Sequence, residues 1–206
     1  MTNHPQIDTL ASNWLTLDDI ADQRAYERER PAFRAEMLAV RRLRRVTLGP
    51  IIAVAFESRD TIRYQIQEMA RAERLSTDAE IQSELDAYNP LIPAPGRLCA
   101  TLFIELTNDD DMREWLPKLV GVERHIVIRF SDGSIVRSEP EAQHATQLTR
   151  EHITSAVHYI TFALDETART ALASGGVNLL IDHPEYRHEV ELAPVTIDEL
   201  RADSAS

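Results

Sequence analysis

The chain has 206 residues, of which 43% are hydrophobic, and this is enough to bury a full core in one domain. Acidic residues outnumber basic ones by 34 to 22, and the formal net charge of −12 argues against a broad surface for nucleic acid or an anionic membrane. A single cysteine, Cys99, excludes an intrachain disulfide and a four-cysteine iron–sulfur cluster built by this chain alone. Because the amino terminus lacks a secretory pattern and no apolar run approaches the roughly 20 residues of a membrane span, we expect a cytoplasmic protein.

The N-terminal part of the sequence is predicted to be mainly helical. Residues 1–15 are expected to form a loosely ordered tail, and residues 16–206 a single α+β domain. Thr16 opens the first helix with the pattern of a capping box, and Pro31 either kinks that helix or begins a second one. The proline-rich loop from Asn89 to Gly96 breaks the chain sharply, and it either lines a pocket or merely connects elements.

Strand patterns dominate the rest of the chain. Val46 to Phe56 is rich in β-branched residues and predicts a strand bent at Gly49-Pro50, and from Leu98 onward apolar residues alternate with a period of two. Asp132-Gly133 lies between alternating apolar residues and indicates a hairpin, as do the residues around His183. These features predict an α+β fold: a mainly antiparallel sheet of about six or seven strands, with helices packed from the N-terminal part and short helices between strands.

Familiar catalytic motifs are missing from the sequence. It contains no Gly-x-Gly-x-x-Gly, no phosphate-binding loop, no Gly-x-Ser-x-Gly and no His-Glu-x-x-His. Whether the chain is an enzyme is therefore left open, and a protein that is not an enzyme on its own is favoured.

Three histidines share a strand phase with apolar residues. By alternation, His158, His183 and His188 point toward the apolar side of their strands. If the strands that carry His158 and His183 are neighbours, the imidazoles converge at one end of the sheet, where Glu105 or Glu57 would complete a site for zinc, iron or manganese. The alternative is that each is a core histidine with one hydrogen bond to the backbone.

An arginine run marks the end of the predicted N-terminal helices. Arg41, Arg42, Arg44 and Arg45 could form an anion pocket or a docking patch for an acidic partner, because planar guanidinium groups bind anions through paired hydrogen bonds. The alternative is a solvated helix end, where cations are favoured by the helix dipole.

A second group of charged residues lies in one strand–turn–helix unit. Glu57, Arg59, Arg63 and Glu68 either form a polar cluster at the mouth of a pocket or make simple structural ion pairs. Nothing adjacent in sequence would lower the pKa of Cys99, which we interpret as a small buried hydrophobic residue rather than a nucleophile.

Six stretches of the sequence carry a family resemblance. They are Asp22-Gln23-Arg24-Ala25-Tyr26-Glu27-Arg28-Glu29-Arg30-Pro31, Arg45-Val46-Thr47-Leu48-Gly49-Pro50, Phe56-Glu57-Ser58-Arg59-Asp60-Thr61, Gln67-Glu68-Met69, Glu84-Leu85-Asp86-Ala87-Tyr88-Asn89 and Ala100-Thr101-Leu102-Phe103-Ile104-Glu105. With these stretches the chain resembles an uncharacterised bacterial family, the domain of unknown function 3501, over nearly its whole length after the first dozen residues.

The resemblance implies a cellular context rather than a mechanism. Members of the family are frequently encoded beside rubrerythrin and an iron–sulfur protein similar to heterodisulfide reductase subunits. This implies an accessory or interaction protein in a redox or oxidative-stress module, working with iron–sulfur and di-iron partners that hold the redox centres. Two alternatives stay open: a small metal-binding protein or metalloenzyme that uses the three histidines and a glutamate, and a binding module for a small anionic ligand at the arginines.

Overall fold

Two antiparallel sheets and a set of helices make up the protein, and the predicted α+β class is confirmed. The computed structural model describes residues 13–143, 149–150 and 153–205. The helices are α1 (Gln23–Arg44), α2 (Arg59–Glu73), α3 (Asp78–Tyr88), α4 (Asp109–Lys118), α5 (Glu166–Ser174) and α6 (Pro194–Ala205). The strands are β1 (Arg45–Leu48), β2 (Ile52–Phe56), β3 (Arg97–Ile104), β4 (Ile126–Arg129), β5 (Ile135–Arg137), β6 (Glu139–Pro140), β7 (Thr149–Arg150), β8 (Ile153–Thr154), β9 (Val157–Ala163), β10 (Asn178–His183) and β11 (Tyr186–Glu191).

The strands divide between sheets rather than forming one. A five-stranded sheet has the order β1-β2-β3-β9-β6, a four-stranded sheet has the order β11-β10-β4-β5, and β7 pairs with β8. Every pairing among these strands is antiparallel. Buried residues from both larger sheets form one continuous hydrophobic core. Alternation along a strand predicts which face is buried but not which strand lies next to it, and this is why one sheet was expected.

The first hairpin corrects the prediction of a single bent strand. Residues 46–56 form two strands, β1 and β2, which pair with each other across a turn that contains Gly49. Gly49 has a φ of +71°, a conformation that residues with a Cβ rarely adopt. Tyr186 of the other sheet holds this turn, since its hydroxyl donates to the Leu48 carbonyl at 2.7 Å and accepts from the Ile51 amide at 3.2 Å. The turn is therefore a contact point between the two sheets.

The first helix runs without interruption through its proline. Asp22 caps α1 by accepting a hydrogen bond from the Ala25 amide at 2.8 Å, and Pro31 lies inside the helix. Tyr26 and Met37 form its buried face. The prediction that Pro31 begins a second helix is therefore wrong, because α1 continues through it.

The residues just before α1 are tied to the proline-rich loop. The capping pattern at Thr16 is present, since its amide donates to Asp19 Oδ2 at 2.8 Å, but it opens only a short 3-10 helix, Leu17–Asp19. The prediction that Thr16 opens the first helix is therefore wrong, because α1 begins separately after Asp22. Leu15 is buried, and its amide and carbonyl both bond to the Asn89 side chain at 2.8 and 2.9 Å. Residues 1–12 of the predicted tail lie outside the described residues.

The two faces of the five-stranded sheet have different neighbours. As the alternation predicts, Leu98, Ala100, Leu102 and Ile104 of β3 belong to the core shared with the four-stranded sheet. A second apolar cluster of α2 and α3 residues packs against Tyr159 of β9 on the opposite face. Helices α2 and α3 therefore cover the side of the sheet that faces away from the main core, whereas α5 and α6 contribute buried residues to that core. In the part of the chain described by the structure, no helix combines the length and apolar character needed to cross a membrane.

Candidate ligand-binding cavity

A cavity of about 520 Å³ lies between the helices and the five-stranded sheet. The strand register determines which residues form the floor of the cavity. Ala55, Thr101 and Tyr159 are direct neighbours across β2, β3 and β9, and Phe103 of β3 is paired with Val157 of β9. All five side chains line the cavity. Because antiparallel partners point to the same face, these residues form a mostly apolar surface with two hydroxyl groups.

Helices and the proline-rich loop supply the walls. Leu38 of α1, Ile62 of α2 and Tyr88 at the end of α3 line the cavity, together with Leu91 of the loop. The loop from Asn89 to Gly96, for which sequence left two roles open, therefore contributes directly to this cavity.

All four arginines of the predicted anion site line this same cavity, which we call the arginine-rimmed cavity. They are Arg41, Arg42, Arg44 and Arg45. Sequence reasoning grouped them by adjacency alone. The structure brings them together because α1 ends at Arg44 and β1 begins at Arg45, directly beside the sheet face.

Two of these arginines are engaged in ion pairs within the protein. Arg44 is buried and contacts Asp203 at 2.5 Å and Glu199 at 2.6 Å, which joins the end of α1 to α6. Burial alone would lower the pKa of Arg44, but the hydrogen bonds and charges of these carboxylates raise it. Arg45 pairs with Glu105 at 2.6 Å and lies over the Phe103 ring, 5.3 Å from its centroid.

The other two arginines keep their guanidinium groups available. Arg41 lies over the Tyr64 ring, 4.9 Å from its centroid, and Arg42 is exposed. Neither forms an ion pair with another residue in the described ranges. Stacking on an aromatic ring leaves the edge of a guanidinium free to donate hydrogen bonds, so both groups can bind an anion.

Glu57 is the acidic group of the cavity. It follows β2 and is half-buried, and its carboxylate accepts hydrogen bonds from the hydroxyls of Thr101 at 2.5 Å and Thr61 at 2.6 Å. No cation of the described residues forms an ion pair with it. The nearest guanidinium contact, from Arg44, goes to the Glu57 backbone carbonyl at 3.3 Å.

Two tyrosines complete the polar lining. Burial raises the pKa of Tyr159, and its neighbours Tyr88, to which it is hydrogen-bonded, and Glu57 raise it further. Tyr159 is therefore a neutral phenol throughout the physiological range and offers a hydroxyl, not a phenolate, to the cavity.

The four predicted metal ligands are not brought together. The strands of His158 and His183 belong to different sheets, so the assumed strand neighbourhood is wrong. Glu105 is exposed and paired with Arg45. Within the described ranges, no group of three or more His, Cys, Asp or Glu side chains is positioned to hold a metal ion. The geometry thus gives no support to a metal centre built from these residues.

Each histidine instead has local contacts. His158 is buried, and its Nε2 lies 2.7 Å from the Thr154 hydroxyl and 3.0 Å from the Ser155 carbonyl. His183 is buried with Nε2 3.2 Å from the Val120 carbonyl, and its Nδ1 accepts a hydrogen bond from the Glu185 amide. For these two, the alternative of a core histidine bonded to backbone describes what the structure shows.

His188 differs from the other two. It shares a face with the buried Ile181, to which it is paired, but it is exposed because β11 is an edge strand. Its ring packs against Tyr186, with centroids 4.5 Å apart. The alternation along the strand thus correctly predicted the face on which His188 lies, but it did not predict that the side chain is exposed.

The predicted polar cluster of Glu57, Arg59, Arg63 and Glu68 is also dispersed. Arg59 pairs with Asp19 at 2.8 Å, and Arg63 donates to the Asp19 carbonyl at 2.8 Å. Glu68 accepts from Arg30 at 2.7 Å and from the Tyr26 hydroxyl at 2.7 Å, which links α1 to α2. Three of the four make structural contacts, and only Glu57 lines the arginine-rimmed cavity.

Sequence reasoning missed most of the cavity floor. The sequence does not mark Tyr159 or Val157 as site residues, whereas the alternation that begins at Leu98 places Thr101 on the face opposite to Ala100 and Leu102. Thr101 is a polar residue on the face of a buried strand that points away from the core, and this pattern could have indicated a site on that face. Cys99, on the same face, is buried as predicted, and burial raises the pKa of its thiol to about 12.

Fold and cavity define an α+β protein of two antiparallel sheets with a cavity of small-molecule size beneath its helices. The chain belongs to the family described as "Protein of unknown function (DUF3501)", whose profile matches residues 14–204. The predicted family resemblance is therefore confirmed.

A solved structure is similar to this chain over almost its whole length. It is the crystal structure, at 1.90 Å resolution, of a novel protein of unknown function from Burkholderia pseudomallei K96243. The two sequences are 34% identical, the TM-score is 0.85, and the match covers 92% of this chain and 98% of the other. No curated protein matches the sequence.

Proposed function

We propose that this protein is a binding module for a small organic anion with an apolar body, held in the arginine-rimmed cavity. The observation that carries the proposal is that two guanidinium groups, those of Arg41 and Arg42, meet an apolar cavity floor and have no carboxylate partner among the described residues. Such a combination is typical of sites that bury an apolar group and orient it by one charged end.

Size and electrostatics support this proposal. A volume of about 520 Å³ lies within the range of about 300–1,000 Å³ that is usual for small-molecule sites. The net charge of −12 repels anions over the whole surface, so an anionic ligand requires a local basic site. The rim of the cavity is such a site, because Arg44 and Arg45 are paired with carboxylates, whereas Arg41 and Arg42 have no such partner in the part of the chain that the structure describes.

Binding of a probe tests the proposal. We expect 2-naphthylacetate, an aromatic carboxylate, to bind at one site per chain in isothermal titration calorimetry. The double variant Arg41→Gln with Arg42→Gln should bind it at least about tenfold more weakly, because charge-assisted hydrogen bonds to the carboxylate are lost.

Arg34→Gln is the matched control. Arg34 lies on the same helix, is exposed and is not among the residues that line the cavity. Equal affinities of the double variant and the Arg34→Gln control, or the lack of saturable binding by the unaltered protein, would contradict the proposed function.

A role beside rubrerythrin-like and iron–sulfur partners is a separate proposal, supported by the family resemblance alone. It predicts that the tagged protein recovers one of these partners from its native cell. Failure to recover either partner, and to form a complex on mixing the purified proteins, would remove it.

A further inference from the structure

Glu57 is the charged group of the arginine-rimmed cavity that anion binding leaves unused. We propose that Glu57 recognises a hydrogen-bond donor, a protonated amine or a hydroxyl, that the ligand carries in addition to its anionic group. This inference rests on the proposed function and deepens it, since it assigns the ligand a second functional group.

The hydrogen bonds of Glu57 hold its carboxylate in one orientation. The Thr101 and Thr61 hydroxyls donate to its two oxygens at 2.5 and 2.6 Å. Thr61 is itself fixed, because its hydroxyl accepts from the Ser58 amide at 2.8 Å within the cap of α2. The carboxylate is therefore held in place before any ligand arrives.

Glu57 keeps capacity to accept further hydrogen bonds. A carboxylate has about four lone-pair positions, and each Glu57 oxygen accepts one hydroxyl from the protein. Since the side chain lines the cavity, a ligand donor can occupy a free position. A ligand without a donor at that point would leave a partly desolvated carboxylate without a new partner.

Charge distribution separates the two ends of the site. Arg44 is bound to Asp203 and Glu199 and does not neutralise the Glu57 side chain. The negative charge of Glu57 therefore repels an anionic group from the floor and favours its placement at Arg41 and Arg42. One acidic and two basic groups in a single cavity thus fix the direction in which a ligand lies.

The neighbouring tyrosines are suited to the same ligand group. Tyr159 lies beside Thr101 across the β3–β9 pairing and lines the cavity with Tyr88. A tyrosine hydroxyl can both donate and accept, so these residues can share a bound amine or hydroxyl with Glu57. The predicted ligand class is accordingly a small aromatic or alicyclic anion with one amine or hydroxyl.

A matched set of probes tests this inference. 2-Naphthylacetate, its 6-hydroxy and 6-aminomethyl derivatives and the 6-methoxy derivative, which cannot donate, would be titrated by calorimetry into the full chain. The hydroxy or aminomethyl probe should bind at least about tenfold more tightly than 2-naphthylacetate, and the methoxy probe should not.

Variants separate this inference from the proposed function. Glu57→Gln should bring the ratio of the affinities for a donor probe and for 2-naphthylacetate, both measured on the same variant, to within about threefold of one. Far-UV circular dichroism checks that the variant is folded. Glu36→Gln, an exposed position on α1, is the control and should keep the gain. If the aminomethyl probe gains more affinity than the hydroxy probe, the ligand group that Glu57 recognises is a cation. If the hydroxy probe gains more, that group is a hydroxyl.

The outcomes that overturn the inference are distinct. Saturable binding of 2-naphthylacetate without a gain from either donor, or a gain that persists in Glu57→Gln, refutes the role of Glu57 alone. No saturable binding of any of the four probes refutes the proposed function and this inference together.

Discussion

At the scale of single residues, the buried pair of His158 and Glu123 sets a dependence of stability on pH. Glu123 Oε2 has no hydrogen-bond partner among the described residues and lies 4.0 Å from His158 Nδ1. Thr154 and the Ser155 carbonyl bind the other ring nitrogen. Burial lowers the pKa of His158, and the charge of Glu123 opposes this only in part.

The sign of the pH effect follows from the lowered pKa. Below its ordinary value of 6.5, the unfolded chain binds a proton at His158 that the folded protein does not bind. The free energy of unfolding should therefore fall as pH decreases through 6.5, by at most about 1.4 kcal/mol per pH unit for this single proton. Urea unfolding at pH 7.5 and pH 5.5 measures the effect.

His158→Gln should reduce this dependence, because the variant has no imidazole to bind a proton at this position. If the stability of the variant and the unaltered protein changes equally between the two pH values, another group is responsible and the assignment to His158 is wrong.

At the scale of elements, the turn between β1 and β2 joins the two sheets. A Cβ on Gly49 would lie 2.5 Å from the His188 ring and from the Tyr186 hydroxyl. Glycine is therefore required at this position for two reasons: the backbone has a positive φ, and β11 approaches too closely to leave room for a Cβ. Gly133, in the β4–β5 hairpin, also has a positive φ of +85° but has no atom within 4 Å of such a Cβ.

Replacement by alanine should lower the free energy of unfolding by different amounts at these two glycines. Gly133→Ala should lower the free energy of unfolding by about 1–2 kcal/mol through backbone strain alone. Gly49→Ala should lower it by a further ~1–3 kcal/mol, because the new methyl group displaces packed side chains. Denaturant unfolding of both variants measures the difference, and equal losses would show that contact with β11 does not stabilise the turn.

At the scale of the whole molecule, one core connects the two sheets. Leu102 of β3 and Leu179 of β10 are both fully buried in it, although their strands belong to different sheets. A shared core couples the sheets energetically, because neither can lose its partner without exposing its own apolar face. The single-domain organisation expected from the sequence can therefore be tested by unfolding the protein.

We expect the chain to unfold in one cooperative transition. Leu102→Ala and Leu179→Ala should each lower the free energy of that transition by about 2–5 kcal/mol, since each opens a cavity in the same core. Circular dichroism and tryptophan fluorescence should report coincident curves. Two separate transitions, with each variant affecting only one, would demonstrate two independent units.

Much of the local structure could be predicted from the sequence, because it depends on neighbouring residues. The capping pattern at Thr16, the Asp132-Gly133 hairpin and the core face of β3 are set by contacts over a few positions, and the structure contains all three, although the Thr16 pattern opens a 3-10 helix rather than α1. The prediction of one bent strand at Gly49 is wrong, since a strand that bends and a hairpin with two apolar strands have the same pattern of residues.

The sequence by itself determined the fold class, the family and the face to which each strand residue points. Only the tertiary structure decided that the strands of His158 and His183 lie in different sheets, and that Glu57 shares a cavity with Arg41 and Arg42. The reason is physical: the period of a strand is fixed by its own backbone, whereas its neighbours depend on burial of apolar faces between segments far apart in the chain.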